Sequence, residues 1–353
     1  MAPYILASGE WSPPKQSSAI LTIIYLVRNS LKKRSPLYHS QVDRRSSKTL
    51  SLLSCDYPTL GGLPMYALFT DTDCDVTPEI AKIFGYHLIS LPYIENGKEI
   101  YPYEDFTTFD AHAFYEKLRH GPLLTTCGIS PAKYTQYFEP FFAAHQDILY
   151  VHFSAAMSGT FSAMNLAVEE LKKKYPGVSF HTIDTKGITI GSLNIVEEIG
   201  DLYKQGKSIE EIETWAKTEV DKFAIYFYAD NLKFFAKSGR VSGITATMGG
   251  LIGMHPIIYM NSEGQMVSIG KAIGRMTALN KVLDYVIKLE DHIQDHRVII
   301  AHTDCLFLAE RMGHMLKAHF GHDLQIDYVV VSPIPGAHCG PDCIGVSFHA
   351  IHR

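Results

Sequence analysis

The segment Ser154-Ala-Ala-Met-Ser-Gly-Thr160 follows directly on the apolar run Ile148-Leu-Tyr-Val-His-Phe153, and helix-forming sequence lies beyond it. A buried strand entering a Ser/Gly/Thr turn before a helix gathers hydroxyls and backbone N–H groups at one point. That arrangement suits an anion, either a phosphate or a carboxylate. Four more segments hold residues that can do chemistry: Thr70-Asp-Thr-Asp-Cys-Asp75, Thr125-Thr-Cys-Gly-Ile-Ser-Pro131, Leu232-Lys-Phe-Phe-Ala-Lys-Ser-Gly-Arg-Val241 and Pro335-Gly-Ala-His-Cys-Gly-Pro341.

Each of these supports a sharp reading and a plain one. Asp71, Asp73 and Asp75 stand where a parallel strand ends, so they could hold a divalent metal, or one could cap a helix while the others are solvated. The acid spacing matches a calcium loop only in its first few positions. Thr125 and Thr126 offer hydroxyls to a carboxylate, while Ser130-Pro131 reads as an N-cap followed by Pro at the first helical position. Arg240 after Ser238-Gly239 suits planar recognition of phosphate or carboxylate; otherwise it is a surface arginine in a turn. His338, Cys339 and Cys343 invite zinc, but no second Cys/His cluster of matching spacing accompanies them. The Gly/Pro content there suggests instead a rigid loop that presents His338. Ser154 or Ser158 with His338 as base would make a hydrolase, yet Met157-Ser-Gly-Thr160 is not the Gly-x-Ser-x-Gly elbow. No Gly-x-x-x-x-Gly-Lys-Ser/Thr loop for a nucleotide is present.

The elements that must position these residues follow from the pattern. A chain of 353 residues, 46% hydrophobic and 20% charged with mean hydropathy near zero, has the length of two globular domains. A formal charge of −5 gives no reason to expect nucleic acid. Six scattered cysteines do not suggest a disulfide framework, so a reducing, cytoplasmic setting is expected. Residues 1–64 hold eight Lys and Arg against three acids, which leaves a formal −10 on the remainder. Their apolar run Ala19–Val27 is far shorter than the ~20 residues of a membrane span. This segment reads as a disordered extension, a targeting segment or sequence upstream of a true start at Met65, and is set aside.

From Met65 onward, short apolar runs alternate with amphipathic stretches in the manner of α/β construction. Strands are expected at Tyr66–Thr70, His87–Tyr93, Ile148–Phe153 and Val178–Ile183. Helices are expected at Pro78–Phe84, Ala111–Arg119, Ala132–Ala144 and Gly159–Tyr175, the last capped by Ser158, then at Ile190–Gln205 and Ser208–Phe223. Beyond residue 222 the texture becomes that of a mixed sheet with helices on one face. Strands are expected there at Ala224–Tyr228, Pro256–Met260, Met266–Ile269, Val298–His302, Gln325–Val331 and Gly345–His349, with helices at Arg275–Leu289 and Leu306–Phe320. The boundary is placed near residue 222, giving domains 65–222 and 223–353.

Taken in order, the five segments resemble the DegV family of fatty-acid-binding proteins from about Met65 to the C-terminus. The family's opening Asp-Ser is similar to Asp71-Thr72, its Thr-Ser-Gln-Pro-Ser to Thr126–Ser130, and its Ser-Ser-x-x-Ser-Gly-Thr to Ser154–Thr160. Its Ser-Gly-Arg stands unaltered as Ser238–Arg240, and its closing His-x-Gly-Pro-Gly resembles His338–Asp342. The resemblance implies an α/β protein of two domains: an N-terminal three-layer α/β/α domain with a parallel sheet, and a C-terminal two-layer α/β domain with a mixed sheet. It also implies a long-chain fatty acid in a buried tunnel, with no other cofactor. Thr125, Thr126, Ser154, Ser158, Gly159 and His338 would meet its carboxylate, and Arg240 would face the head group or a kinase.

By the same implication the protein is a non-catalytic carrier. It presents the carboxylate to a separate ATP-dependent fatty acid kinase that forms an acyl phosphate, with peripheral membrane contact during lipid exchange. The alternative is a phosphotransferase that acts on a small metabolite through Asp71–Asp75. Departures from the family pattern are Ala155 for the second serine, Cys127-Gly128-Ile129 for Ser-Gln-Pro, His255 for a lysine and Asp342 for the last glycine. Asp342 beside an anionic head group is unfavourable unless it turns outward or pairs with His338.

Overall fold

The computed structural model describes residues 59–60, 63–64, 66–242 and 253–353. The readings of residues 1–64 therefore lie almost wholly outside the described residues. Four strands, β1 (Ala67–Asp71), β2 (Tyr86–Ile89), β6 (Ile148–His152) and β7 (Phe180–Asp184), form an all-parallel sheet in the order β2-β1-β6-β7. β1 and β6 are buried at every position, as expected of strands covered on both faces. On one side pack α3 (Pro131–Ala143) and α4 (Thr160–Lys174); on the other pack α1 (Pro78–Phe84) and α5 (Ile190–Lys204), which completes three layers. The remaining elements of this half are α2 (Ala111–His120), α6 (Ile209–Glu219) and a small antiparallel sheet of β3 (Tyr93–Glu95), β4 (Lys98–Ile100) and β5 (Thr125–Thr126).

The second half is built on a seven-stranded sheet: β8 (Phe223–Tyr228), β9 (Val241–Ser242), β10 (Met254–Met260), β11 (Met266–Ile273), β12 (Val298–His302), β13 (Ile326–Val330) and β14 (Ile344–His349). The order is β9-β11-β10-β8-β14-β12-β13, antiparallel inside and parallel at both outer pairs. α8 (Arg275–Leu289) and α9 (Leu306–Phe320) cover one face. Strand alternation divides the side chains cleanly. Ala224, Tyr226, Tyr228 and Ile300 join the core under α8 and α9, whereas Ile225, Phe227, Ile299 and Ala301 join the core shared with the parallel sheet.

α5 occupies the space between the sheets and is apolar nearly all round, with Ile190, Leu193, Ile195, Val196 and Ile199 buried. Two glycines allow the close approach. A Cβ on Gly191 would lie 2.9 Å from Ile225 of β8, and one on Gly200 would lie 2.6 Å from Phe84 of α1.

The fold class is that expected from the sequence, and several elements differ locally. The strand expected over His87–Tyr93 stops at Ile89, and Tyr93 starts β3 in the small sheet, whose pairing no periodicity marked. The helix expected over Ser208–Phe223 ends at Glu219, with Ser208 closing a capping box with Glu211. Two short helices were not expected: α7 (Leu232–Ser238), which ends at the turn read around Gly239, and α10 (Pro333–Cys339), where a rigid loop was expected. Among the described residues no helix is long and apolar enough to cross a membrane.

Candidate functional site

A cavity of about 390 Å³ lies between the ends of the parallel strands and the inner face of the mixed sheet. Its apolar wall includes Phe153, Ile188, Ile225, Phe227, Ala301, Val331 and Ile334. Thr126, Ser158, Gly159, Thr160, Arg240 and His338 line it as well.

The polar group is held by four elements. Thr126 closes β5, and its Oγ1 lies 2.8 Å from Nε2 of His338 in the last turn of α10. α10 forms because Pro333 sits in its first turn, where no N–H is needed, and because residues 333–337 are all buried. His338 is thus carried by a packed helix rather than by the rigid loop expected. Burial, reinforced by the Arg240 guanidinium, pushes its pKa down to about 4. The ring is therefore neutral at physiological pH, and positive charge near the site comes from Arg240.

Arg240 follows the left-handed Gly239 that ends α7. Its Nη1 donates to Ser238 O, and it has no carboxylate partner among the described residues. Gly159 is the N-cap of α4, and Ser158 stands one place earlier than expected of a cap, accepting from Thr160 N at 3.2 Å. Thr160 Oγ1 accepts from Ile129 N and lies 3.2 Å from Tyr134 Oη. In the first turn of α4, Thr160 N thus donates to Ser158 Oγ and Ser162 N to Gly159 O at 3.2 Å.

The structure brings Thr126, Ser158, Gly159, Arg240 and His338 to the cavity and leaves two expected residues off its wall. Thr125 alternates to the other side of β5, is exposed, and borders a separate hollow of about 80 Å³ with Lys237, Arg240 and His338. Ser154 is fully buried. Its Oγ accepts from Ala156 N and donates to Gly264 O at 2.7 Å, tying the turn to the hairpin of the mixed sheet. His338 pairs with Thr126, Ser154 is committed to Gly264 and Ser158 accepts from Thr160 N, so among the described residues neither serine of the hydrolase reading is hydrogen-bonded to His338.

The acids separate too. Asp71 accepts from Tyr150 Oη (2.9 Å) and Phe153 N (3.2 Å), and Asp75 accepts from Ser332 N (2.8 Å). Burial raises the first to about 6 and the second to about 7. Among the described residues, three metal-ligand atoms converge only at His112, Glu116 and Asp304, where Arg119 already pairs with both acids. Neither Asp71–Asp75 nor His338–Cys343 forms such a set.

Asp342 turns away from His338. Its two oxygens bind Arg119 of α2 and Arg275 of α8, each at 2.9 Å. Its φ of 65° is the left-handed conformation that glycine adopts freely. Arg119 had no sequence signal, since nothing in α2 marks one basic residue out from its neighbours Lys117 and His120.

Over residues 65–350 the chain matches the DegV family, whose members are described as uncharacterised proteins. A DegV domain-containing protein of Clostridium perfringens is 30% identical over 292 residues, spanning 80% of this chain and 97% of its own. Two solved structures share the fold. A DegV family protein of Ruminococcus gnavus, refined with vaccenic acid, has a TM-score of 0.69 at 22% identity and covers 80% of this chain and 99% of that one. A stearic-acid-binding protein of Eubacterium ventriosum has a TM-score of 0.70 at 17% identity, covering 81% and 98%. The match runs from the first parallel strand through the last strand of the mixed sheet, and so the protein belongs to the DegV family.

Proposed function

We propose that this protein binds one long-chain fatty acid in the 390 Å³ cavity, its acyl chain among the apolar side chains of both sheets and its carboxylate beside Thr126 and His338. The observation that carries this reading is the combination of a largely apolar wall with one small polar group. Each methylene buried contributes about 0.8 kcal/mol, so the chain alone supplies ample affinity. The head group then needs a few donors: the Thr126 hydroxyl, the neutral His338 ring, the first turn of α4 and the Arg240 charge. What the R. gnavus and E. ventriosum proteins bind agrees with this.

The same reading treats residues 65–222 and 223–353 as two domains that enclose the ligand. It makes the protein a non-catalytic cytoplasmic carrier whose head-group end, marked by Arg240, meets a separate ATP-dependent kinase that forms the acyl phosphate. Native mass spectrometry of the purified protein, followed by organic extraction, tests the reading. A stoichiometric long-chain acid is expected. A protein that is empty and takes up no added fatty acid would sink it.

A further inference from the structure

α2 carries His112 and Glu116 one helical turn apart, so their side chains share a face of the helix. Against that face lies Asp304, in the turn between β12 and α9 and one residue past Thr303 of the cavity wall. His112 Nδ1 is 3.3 Å from Asp304 Oδ1 and 3.1 Å from Oδ2. One ligand atom from each of the three residues falls within 4.8 Å of the other two, and the residues come from both halves of the chain. Their charge is not balanced. Arg119 bonds Glu116 Oε1 at 2.7 Å, Asp304 Oδ2 at 2.6 Å and Asp342 Oδ1 at 2.9 Å, so one guanidinium answers three carboxylates. Arg275, the other arginine on Asp342, is shared with Asp230. On each of the two acids beside His112, Arg119 bonds one oxygen and the other faces a histidine: Glu116 Oε2 lies 3.5 Å from His120 Nε2, and Asp304 Oδ1 faces His112.

We propose that His112, Glu116 and Asp304 form a binding site for a divalent transition metal of the zinc class, with water completing the coordination. An imidazole with two carboxylates is a donor set that zinc accepts, whereas magnesium and calcium prefer oxygen throughout. With bonds of ~2.0–2.1 Å in a tetrahedral site, neighbouring ligand atoms lie roughly 3.3 Å apart. His112 Nδ1 and Asp304 Oδ1 already stand at that separation. The side chains of His112 and Glu116 are 76% and 41% exposed, so both close on an ion by rotation alone. The ion supplies the positive charge that Arg119 cannot supply by itself, and it fastens α2 to the turn after β12 beside the cavity. This site is independent of the fatty-acid reading and stands or falls without it.

The test is calorimetric titration of the full chain, freed of metal with a chelator, with zinc chloride and separately with magnesium chloride. Zinc is expected to bind and magnesium to give no heat of binding. The chain has 17 histidines, so zinc uptake alone is not decisive and the variants are. His112→Ala removes a mostly exposed side chain and should weaken zinc binding by about tenfold or more. His292→Ala, which removes an equally exposed histidine next to an acid, should leave it unchanged. Zinc that binds wild type and His112→Ala equally well overturns the proposal, because His112 is then only the ion-pair partner of Asp304. Magnesium that binds as tightly as zinc overturns it too, since the carboxylates then attract any counterion. A chain that takes up no zinc ends it outright.

Discussion

The parallel sheet and the mixed sheet meet the cavity in different ways. The parallel sheet meets it with the turns beyond its strand ends: Asp73 after β1, Phe153 and Met157 to Thr160 after β6, and Ile188 and Thr189 after β7. The mixed sheet meets it mainly with strand side chains, Ile225 and Phe227 on β8 and Ala301 on β12. Turns at the carboxyl ends of parallel strands expose N–H groups and tolerate polar residues, which is why such folds bind ligands there. Strand interiors have spent their backbone bonds and offer only shape. The division gives the first half of the chain most of the polar lining and the second half most of the apolar volume, and two residues of the second half, Arg240 after α7 and His338 in α10, bring ionisable groups to the polar end of the cavity.

The most direct way to break this comparison is to enlarge one side chain on each side. Ala301→Phe fills the space an acyl chain needs and should lower fatty-acid affinity by more than about a hundredfold, at some cost in stability from overpacking. Ala155→Phe, in the exposed turn before α4, should change affinity by no more than about twofold. Titration calorimetry on both variants decides. Equal losses would mean that the turn side also sets the volume.

The same comparison explains what could be read in advance. Pro78–Phe84, Arg275–Leu289, Leu306–Phe320 and Val298–His302 occur with the bounds their periodicity implied, because long amphipathic and apolar runs report burial directly. α7 and α10 were missed because each is only seven residues long, too short for helical periodicity to register, and α10 is built from Pro and Gly, which usually mark turns. Pro333-Ile-Pro-Gly-Ala-His-Cys339 is helical through complete burial at residues 333–337 rather than through propensity. At the site, Thr126, Ser158, Gly159, Arg240 and His338 were legible as residue types. Thr125 was not separable from Thr126 until β5 was known to be a strand, since adjacent strand residues face opposite ways. The capture of Ser154 by Gly264 depends on a hairpin 110 residues away. How the three acids after β1 divide their partners was not legible, because it is a property of the fold: Tyr150 and Phe153 hold Asp71, and Ser332, 257 residues away, holds Asp75.

A smaller effect is expected at the closing loop, where the two halves are tied by charge. Asp342→Ala leaves Arg119 and Arg275 facing one another without the carboxylate between them. All three side chains are partly exposed, so the loss should be about 1–2 kcal/mol in urea unfolding. Asp342→Gly should recover part of it, because glycine adopts φ 65° without strain. A glycine variant less stable than the alanine variant would show that backbone strain plays no part in the loop.

The smallest expected effect concerns His338, and it is a slope rather than a loss. With its pKa at about 4 in the folded protein and near 6.5 in the unfolded chain, His338 takes up a proton on unfolding between those values. The unfolded state then holds more protons than the folded one, so this group makes stability fall as pH drops from about 6.5 to about 4. Asp71 and Asp75, raised to about 6 and about 7, act oppositely across much of that window: they favour the folded state at low pH and cost stability as pH rises. The net curve of the wild type therefore conceals His338, and only a difference can reveal it. His338→Gln keeps a polar group near Thr126 Oγ1 but cannot titrate. Subtracting its stability from that of the wild type at each pH should leave a difference that is flat above about pH 7 and turns against the wild type below about 6.5. A fatty acid carboxylate beside the ring raises the histidine pKa and should flatten that slope in the loaded protein. The same slope with and without ligand would place the carboxylate away from α10, and with it would go the assignment of the head group to His338.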